Sequence, residues 1–116
     1  MALSTEVRKH HTAWLSRNGE APVPVRYGVT DEELVVFADG RLAGIRAGDR
    51  LTATIHKIAF GEPICEVAVT ARELAPAEVP LWLVADVAGN HPILNSGRKH
   101  PYEELRSTRR LVALKP

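Results

Sequence analysis

Two runs of alternating apolar and polar residues dominate the hydrophobic pattern of this chain. Residues 51–58 and residues 64–72 both alternate, and Gly61 and Pro63 lie between them. A period of two places one set of side chains in a core and the other set on the opposite face of a sheet. Because Gly and Pro mark turns, the pattern predicts a β-hairpin. Its core side is predicted to carry Ala53, Ile55, Val67 and Val69, and its opposite face Thr52, Thr54 and His56.

Three more strands are predicted before this hairpin. Residues 12–17 and 23–29 flank Asn18-Gly19, the strongest short hairpin signal. Pro24 cannot donate a ladder hydrogen bond, so the start of the second strand is predicted to lie at a sheet edge or a bulge. Residues 34–37 form an apolar run of strand length, which predicts burial on both faces.

The remaining segments predict short helices and one last strand. The residues between 39 and 50 carry Leu42 and Ile45 three positions apart, which suits a single helical turn. Residues 75–88 predict a core-facing helix that ends at Gly89-Asn90. Two further short helices are predicted over residues 4–11 and 102–107, and a last strand over residues 110–114.

Many short strands with few helices predict a mainly β, α+β domain or a small barrel. Closure into a barrel would remove the exposed strand edges. The chain of 116 residues predicts a single domain over residues 1–116.

Composition narrows the classes of function. A formal net charge of +1 gives no strong electrostatic steering towards nucleic acid. A nucleic-acid-binding barrel stays a third hypothesis that rests only on the C-terminal basic residues, for which a solvated or dimer-contact face is the competing interpretation. These basic residues are Arg98, Lys99, His100, Arg106, Arg109 and Arg110. No apolar run approaches the roughly 20 residues that span a bilayer, and the N-terminus lacks the pattern of a signal peptide, so we expect no membrane partner. The single cysteine, Cys65, lies on the apolar side of a strand, which predicts a buried reduced thiol and a cytoplasmic location.

Five segments follow one another in a recognisable order: Trp14-Leu15-Ser16-Arg17-Asn18-Gly19, Pro24-Val25-Arg26-Tyr27-Gly28-Val29, Glu33-Leu34-Val35-Val36-Phe37, Gly48-Asp49-Arg50-Leu51-Thr52-Ala53-Thr54-Ile55-His56 and Val67-Ala68-Val69-Thr70-Ala71-Arg72-Glu73-Leu74. Together they resemble the pyridoxamine 5′-phosphate oxidase-like, FMN-binding split β-barrel family. The resemblance implies a small split β-barrel of about six antiparallel strands with two or three short helices. It also implies a homodimer that holds FMN, or alternatively a deazaflavin, between its subunits. Members of the family include oxidoreductases.

The resemblance also implies where a flavin would be held. Arg41 takes the place of the family's phosphate-binding cation after the third strand, and Arg26 occupies a position that often contacts phosphate or ring. His56 and Lys57 close the fourth strand, where members contact the flavin. With the neighbouring Tyr27 and Leu42, these residues form the expected cofactor-binding set: Arg26, Tyr27, Arg41, Leu42, His56 and Lys57.

One feature departs from the family pattern. The family's Ser or Thr near this cation is missing, and Asp39 places a negative charge close to Arg41. The alternative hypothesis is therefore a split barrel that has lost its cofactor and serves as a structural or interaction module. Charged side chains are mostly exposed in proteins, so solvated surface arginines are the competing interpretation of Arg26 and Arg41.

Overall fold

Seven β-strands and two short α-helices make up the described part of the chain. The computed structural model describes residues 10–17, 19–30, 32–56, 63–89 and 101–116. The strands are β1 (Thr12–Ser16), β2 (Val23–Arg26), β3 (Gly28–Thr30), β4 (Glu33–Phe37), β5 (Arg50–His56), β6 (Pro63–Leu74) and β7 (Leu111–Lys115). The helices are α1 (Leu81–Ala88) and α2 (Pro101–Thr108), and two 3-10 turns span Gly40–Leu42 and Pro76–Glu78.

The seven strands form one antiparallel sheet that nearly closes on itself. Its order is β2-β1-β5-β6-β7-β4-β3, so β2 and β3 are the two edge strands. Only Tyr27 separates these two strands along the chain. One continuous segment therefore pairs with β1 through its first half and with β4 through its second half. The expected mainly β, split-barrel architecture is confirmed.

The central hairpin is confirmed together with its predicted faces. In β5 and β6, Leu51 pairs with Val69, Ala53 with Val67 and Ile55 with Cys65. All of these side chains belong to, or pack against, the core inside the barrel. Thr52, Thr54 and His56 lie on the opposite face and are partly exposed. Residues 57–62, which include the predicted turn, lie outside the described residues.

A second apolar core lies on the outside of the sheet. Val35 and Phe37 of β4 point there, whereas Leu34 and Val36 point into the barrel, so all four are buried as predicted. Helix α1 covers this outer side with its buried face of Leu83, Val84 and Val87. Tyr102 and Leu105 of α2 pack against the same cluster.

Three predictions need correction. The predicted strand over residues 23–29 is two strands, because the chain changes pairing partner at Tyr27. The predicted helix over residues 75–88 begins only at Leu81, because a residue before proline avoids the α region and Val79 precedes Pro80 in an extended conformation. Cys65 is half-buried rather than buried, because it lies near the start of β6 at the end of the barrel.

The predictions at the two ends of the chain differ from the structure in smaller ways. Helix α2 exceeds its predicted range by one residue at each end, and the last strand begins one residue later than predicted. Of the predicted helix over residues 4–11, His10 and His11 are not helical, and residues 4–9 lie outside the described residues. The turn after β1 is closed by the Glu20 N–H, which donates to the Arg17 carbonyl at 2.7 Å. Asn18 itself is not among the described residues.

Helix α1 can approach the sheet closely because Gly28 has no side chain. A Cβ at this position would lie 2.7 Å from Leu83 Cδ1 and 3.1 Å from Val87 Cγ2. Both neighbours are almost fully buried, so they have little room to move. We expect Gly28→Ala to lower the free energy of unfolding by about 1–3 kcal/mol, as overpacked cores do. Denaturant unfolding measures this loss.

A double-mutant cycle with Leu83→Ala identifies the contact responsible. Removing the Leu83 side chain makes room for the new methyl group, so the two losses of stability should sum to more than the loss in the double variant. Strictly additive losses would show that Leu83 is not the group that Gly28 accommodates.

Candidate functional site

The candidate site is a cleft where the barrel splits. Gly28 pairs with Val35, and the same register would bring Arg26 opposite Phe37. Strand β2 instead pairs with β1, where Arg26 lies opposite Thr12. The two segments therefore separate and leave a surface cavity of about 300 Å³ between them. Strand β2 forms one wall of this cleft, and the chain from Phe37 to Leu42 forms the other.

Backbone groups of both walls face the cleft. Ala38 donates its N–H to the Arg110 carbonyl on the β7 side, and Tyr27 donates its N–H to the His11 carbonyl on the β1 side, both within 2.9 Å. Amide groups of successive residues in a strand point in opposite directions. The amides of Arg26 and Phe37 therefore point away from these partners and towards the gap. The cleft thus offers backbone hydrogen-bonding groups as well as side chains.

Three arginines and one carboxylate supply the charge of the cleft. Arg26 comes from β2, Arg41 from the 3-10 turn and Arg109 from the residues just before β7, while the carboxylate is Asp39. Arg41 is exposed and makes no hydrogen bond or ion pair with any residue in the described part of the chain. Its guanidinium is therefore available to a ligand. Leu42, Phe37 and Val87 provide the apolar part of the lining.

Asp39 and Phe37 hold Arg109 in place. The Arg109 Nε–H donates to Asp39 Oδ2 at 2.6 Å, and a second guanidinium nitrogen forms an ion pair with the same oxygen. The Arg109 Cζ atom also lies 3.8 Å from the centre of the Phe37 ring, a cation–π contact. The negative charge of Asp39 is therefore directed at Arg109. This pairing reduces the repulsion that the sequence predicts between Asp39 and an incoming anion.

Arg26 is held at the end of α1. Its Nε–H donates to the Asp86 carbonyl at 2.8 Å, one of the carbonyls that the last turn of a helix leaves without an intrahelical partner. The negative end of the helix dipole also favours a cation here. The next residue after α1 is Gly89, in the left-handed conformation at φ 74°. The Arg26 side chain passes directly over Gly89, where a Cβ would lie only 2.7 Å from Nε.

Two arginines from strand ends fix the segment that carries Arg41. Arg110 donates to the carbonyls of Ala43 (2.9 Å) and Ile45, and Arg17 donates to the carbonyl of Gly44 (3.0 Å). These three consecutive carbonyls follow the 3-10 turn directly, so each receives a charged donor. Glu73 holds Arg110 in turn, with Nε–H to Oε1 at 2.9 Å. Arg109 binds Asp39 just before the 3-10 turn, and Arg110 binds the backbone just after it. These two adjacent arginines therefore hold both ends of the turn that carries Arg41 and Leu42.

The structure brings together three of the six residues expected to bind a cofactor. Arg26, Arg41 and Leu42 line the same cleft. The Tyr27 side chain is fully buried inside the barrel, where burial, followed by the nearby Cys65, raises the pKa of its phenol, so this group stays neutral. Lys57 lies outside the described residues.

His56 lies on the outer face of the sheet, where its ring meets the edge of Trp14 at 6.3 Å between ring centres. Trp14 pairs with Thr54, so the same register places His56 beside Thr12, the partner of Arg26. His56 and Arg26 therefore lie two strands apart, about 10 Å at the usual strand spacing. His56 does not line the cleft.

Sequence reasoning placed Arg109 and Arg110 only in a C-terminal basic group, and it gave Asp86 no role. Their partners lie 37–70 residues away along the chain, so no local pattern indicates them. Among the described residues, no group of three or more His, Cys, Asp or Glu side chains is arranged to hold a metal ion. None of the helices in the described ranges is long and apolar enough to cross a membrane.

Comparisons of the chain with family models, with curated proteins and with solved structures return no match. The function must therefore be argued from the cleft itself.

The ion pair between Arg110 and Glu73 makes the stability of the fold depend on pH. The hydrogen bond from Arg110, and then the charges of Arg110 and Arg46, hold the pKa of Glu73 below its ordinary value of 4.5. A lowered pKa in the folded state adds stability above the ordinary pKa, and this stability is lost as pH falls through the lowered value. We expect Glu73→Gln to be less stable than the natural protein at pH 7 by no more than about 1 kcal/mol, since the pair is exposed.

Denaturant unfolding of both proteins from pH 7 to pH 3 tests this prediction. The difference in unfolding free energy should shrink as pH falls below 4.5. A difference that stays constant over this range would show that Glu73 contributes no charge interaction.

Gly89→Ala should both destabilise the protein and displace Arg26. An L-residue in the left-handed region costs about 1 kcal/mol, and the new Cβ would also collide with Arg26. Gly19→Ala is the matched control, because Gly19 has a similar φ of 79° and a Cβ added there would meet nothing within 4 Å. Thermal unfolding should show a larger loss for Gly89→Ala than for Gly19→Ala. Equal losses would mean that the Arg26 side chain moves away from the new Cβ at no measurable cost in stability.

Proposed function

We propose that the protein binds FMN in the cleft where the barrel splits, with the phosphate against Arg41. The observation that carries this proposal is the Arg41 guanidinium, which has no partner in the described part of the chain and shares the cleft with Arg26 and Arg109. A guanidinium offers several donors in a fixed plane that matches phosphate geometry. The apolar lining of Phe37, Leu42 and Val87 supports the same proposal, since a flavin ring is planar and its dimethylbenzene part is apolar.

The charge balance of the cleft supports an anionic ligand. Arg109 is already neutralised by Asp39, and Arg26 is directed at a backbone carbonyl, so Arg41 is the cleft cation whose donors stay available. Arg26 and Arg109 would add long-range attraction, and each retains N–H groups beyond those bonded to Asp86 and Asp39. The backbone amides of Arg26 and Phe37 would supply neutral donors. This set resembles phosphate sites, where charged side chains and backbone N–H groups act together.

The size of the cleft supports a second subunit. Its volume of about 300 Å³ lies at the lower end for ligand pockets, which range from roughly 300 to 1,000 Å³. One chain would therefore cover the phosphate end, and we propose that a second copy covers the ring. The outer face of β1 and β5, with Trp14 and His56, lies next to β2, and no helix among the described residues packs on it. This face is the proposed contact surface.

The redox activity that we propose would be that of the flavin. Flavins supply hydride and electron transfer, while the protein supplies binding, orientation and exclusion of water. In this chain, Arg41 and Arg26 would anchor the phosphate and thereby orient the ring. A deazaflavin with a similar phosphate would use the same residues. The cofactor-less module remains the second candidate, because the pair of Asp39 and Arg109 satisfies part of the cleft charge without any ligand.

Comparison of FMN with riboflavin tests the proposal. The two differ only in the phosphate, so a phosphate site should make FMN bind at least about tenfold more tightly, the effect of one charge-assisted hydrogen bond. Arg41→Gln should remove most of this difference, whereas Arg50→Gln, outside the cleft, should leave it unchanged. Quenching of flavin fluorescence during titration measures both affinities.

Two outcomes would contradict the proposal. Equal affinity for FMN and riboflavin would show that the arginines do not bind the phosphate. Absence of any fluorescence change or thermal stabilisation with saturating FMN and with a deazaflavin would favour the cofactor-less module, because a ligand bound only to the folded state must stabilise it.

We also expect the complex with FMN to have the mass of two 12.7 kDa chains. Light scattering after size-exclusion chromatography measures this mass directly. Replacing Trp14 with Asp on the proposed contact surface should shift the complex towards the single-chain mass, because a buried charge without a partner is costly. A single-chain mass for the natural protein with FMN bound would contradict the dimer.

A further inference from the structure

A second basic cavity lies beside the first one along the chain. It has a volume of about 310 Å³ and is lined by Arg17, Glu20, Gly44, Arg46, Asp49 and Arg50. Both cavities border the segment of residues 39–49, the first at Asp39 to Leu42 and the second at Gly44 to Asp49. The two sites share no lining residue, so either can be tested without changing the other.

The carboxylate of Asp49 is committed to holding the loop. Its Oδ2 accepts the backbone N–H of Arg46 at 2.9 Å and an N–H of Arg17 at 3.3 Å. Arg17 also donates to the Gly44 carbonyl at 3.0 Å, so its guanidinium is fixed at the cavity wall. Asp49 therefore orients Arg17 and closes the loop through Oδ2.

The side chains of Arg46 and Arg50 are not held in this way, although the charge of Arg46 also acts on Glu73. Both are exposed, and neither side chain makes a hydrogen bond or an ion pair within the ranges that the structure describes. Glu20 is the other carboxylate at the cavity. Its Oε2 lies 3.7 Å from Arg17 Nε, and its side chain is 65% exposed. A pair so exposed contributes little. The cavity therefore presents two available guanidiniums and one fixed guanidinium to a concave surface.

We propose that this second cavity is a binding site for a compact oxyanion such as a phosphate or pyrophosphate group, separate from the flavin site. Guanidiniums bind such groups through paired, charge-assisted hydrogen bonds. Arg17 would supply the preorganised donor, and Arg46 and Arg50 would close on the anion from the loop and from the start of β5. Three arginines against two carboxylates give the lining a net positive charge, and it has no apolar side chain, so the ligand class is an anionic group and not a planar ring.

Titration with inorganic pyrophosphate at constant ionic strength tests this proposal. The amide NMR signals of Gly44 and Gly48 report on the loop, and in the natural protein they should shift and saturate. The double variant Arg46→Gln/Arg50→Gln should weaken this binding at least about tenfold, because it removes the charge-assisted donors. These side chains are exposed, so the variant should fold normally.

Two matched variants separate this site from the flavin site. Arg41→Gln should leave the pyrophosphate shifts of Gly44 and Gly48 unchanged, and Arg46→Gln/Arg50→Gln should leave the preference for FMN over riboflavin unchanged. Arg46→Lys/Arg50→Lys should retain part of the pyrophosphate affinity, because the charge remains. Saturating shifts that persist in the double glutamine variant, or equal shifts with sodium chloride alone, would overturn the proposal.

Discussion

The fold depends on one segment that pairs with two different neighbours. Residues 23–30 form β2 and β3, and they join the two edges of a seven-stranded sheet through Tyr27. Pairing of this segment with β1 and then with β4 nearly closes the sheet, and the buried Tyr27 side chain fills the barrel at the crossing. The same change of partner prevents β2 from following β4 beyond Val35. The cleft is therefore a geometric consequence of how the barrel closes.

Helix α1 and three arginines shape the two walls of this cleft. Helix α1 packs closely over Gly28, and its C-terminal end meets Arg26 at the side of the cleft. The adjacent Arg109 and Arg110 hold the turn of Gly40–Leu42 from both ends, which fixes the position of Arg41. Stability and the proposed binding are thus connected, because the contacts that hold this turn also present Arg41, the cleft arginine that has no partner among the described residues.

Most of the barrel could be predicted from local patterns, and most of the cleft could not. Alternation in residues 51–58 and 64–72 determines which side chains face the core, so the hairpin and its faces were accessible from sequence. The division of residues 23–29 at Tyr27 depends on pairing with two distant strands, which alternation does not encode. The roles of Arg109 and Arg110 likewise depend on Asp39 and Glu73, which no spacing rule connects to them. Three of the residues that the resemblance assigned to cofactor binding, Arg26, Arg41 and Leu42, line the same cleft.

The central claim is that the split of the barrel holds a phosphate through Arg41. A crystal structure of the protein with FMN tests it most directly. Our account predicts the phosphate within hydrogen-bond distance of the Arg41 guanidinium, between β2 and the turn of Gly40–Leu42. A flavin phosphate bound elsewhere, for example on the outer face beside Trp14 and His56, would contradict it.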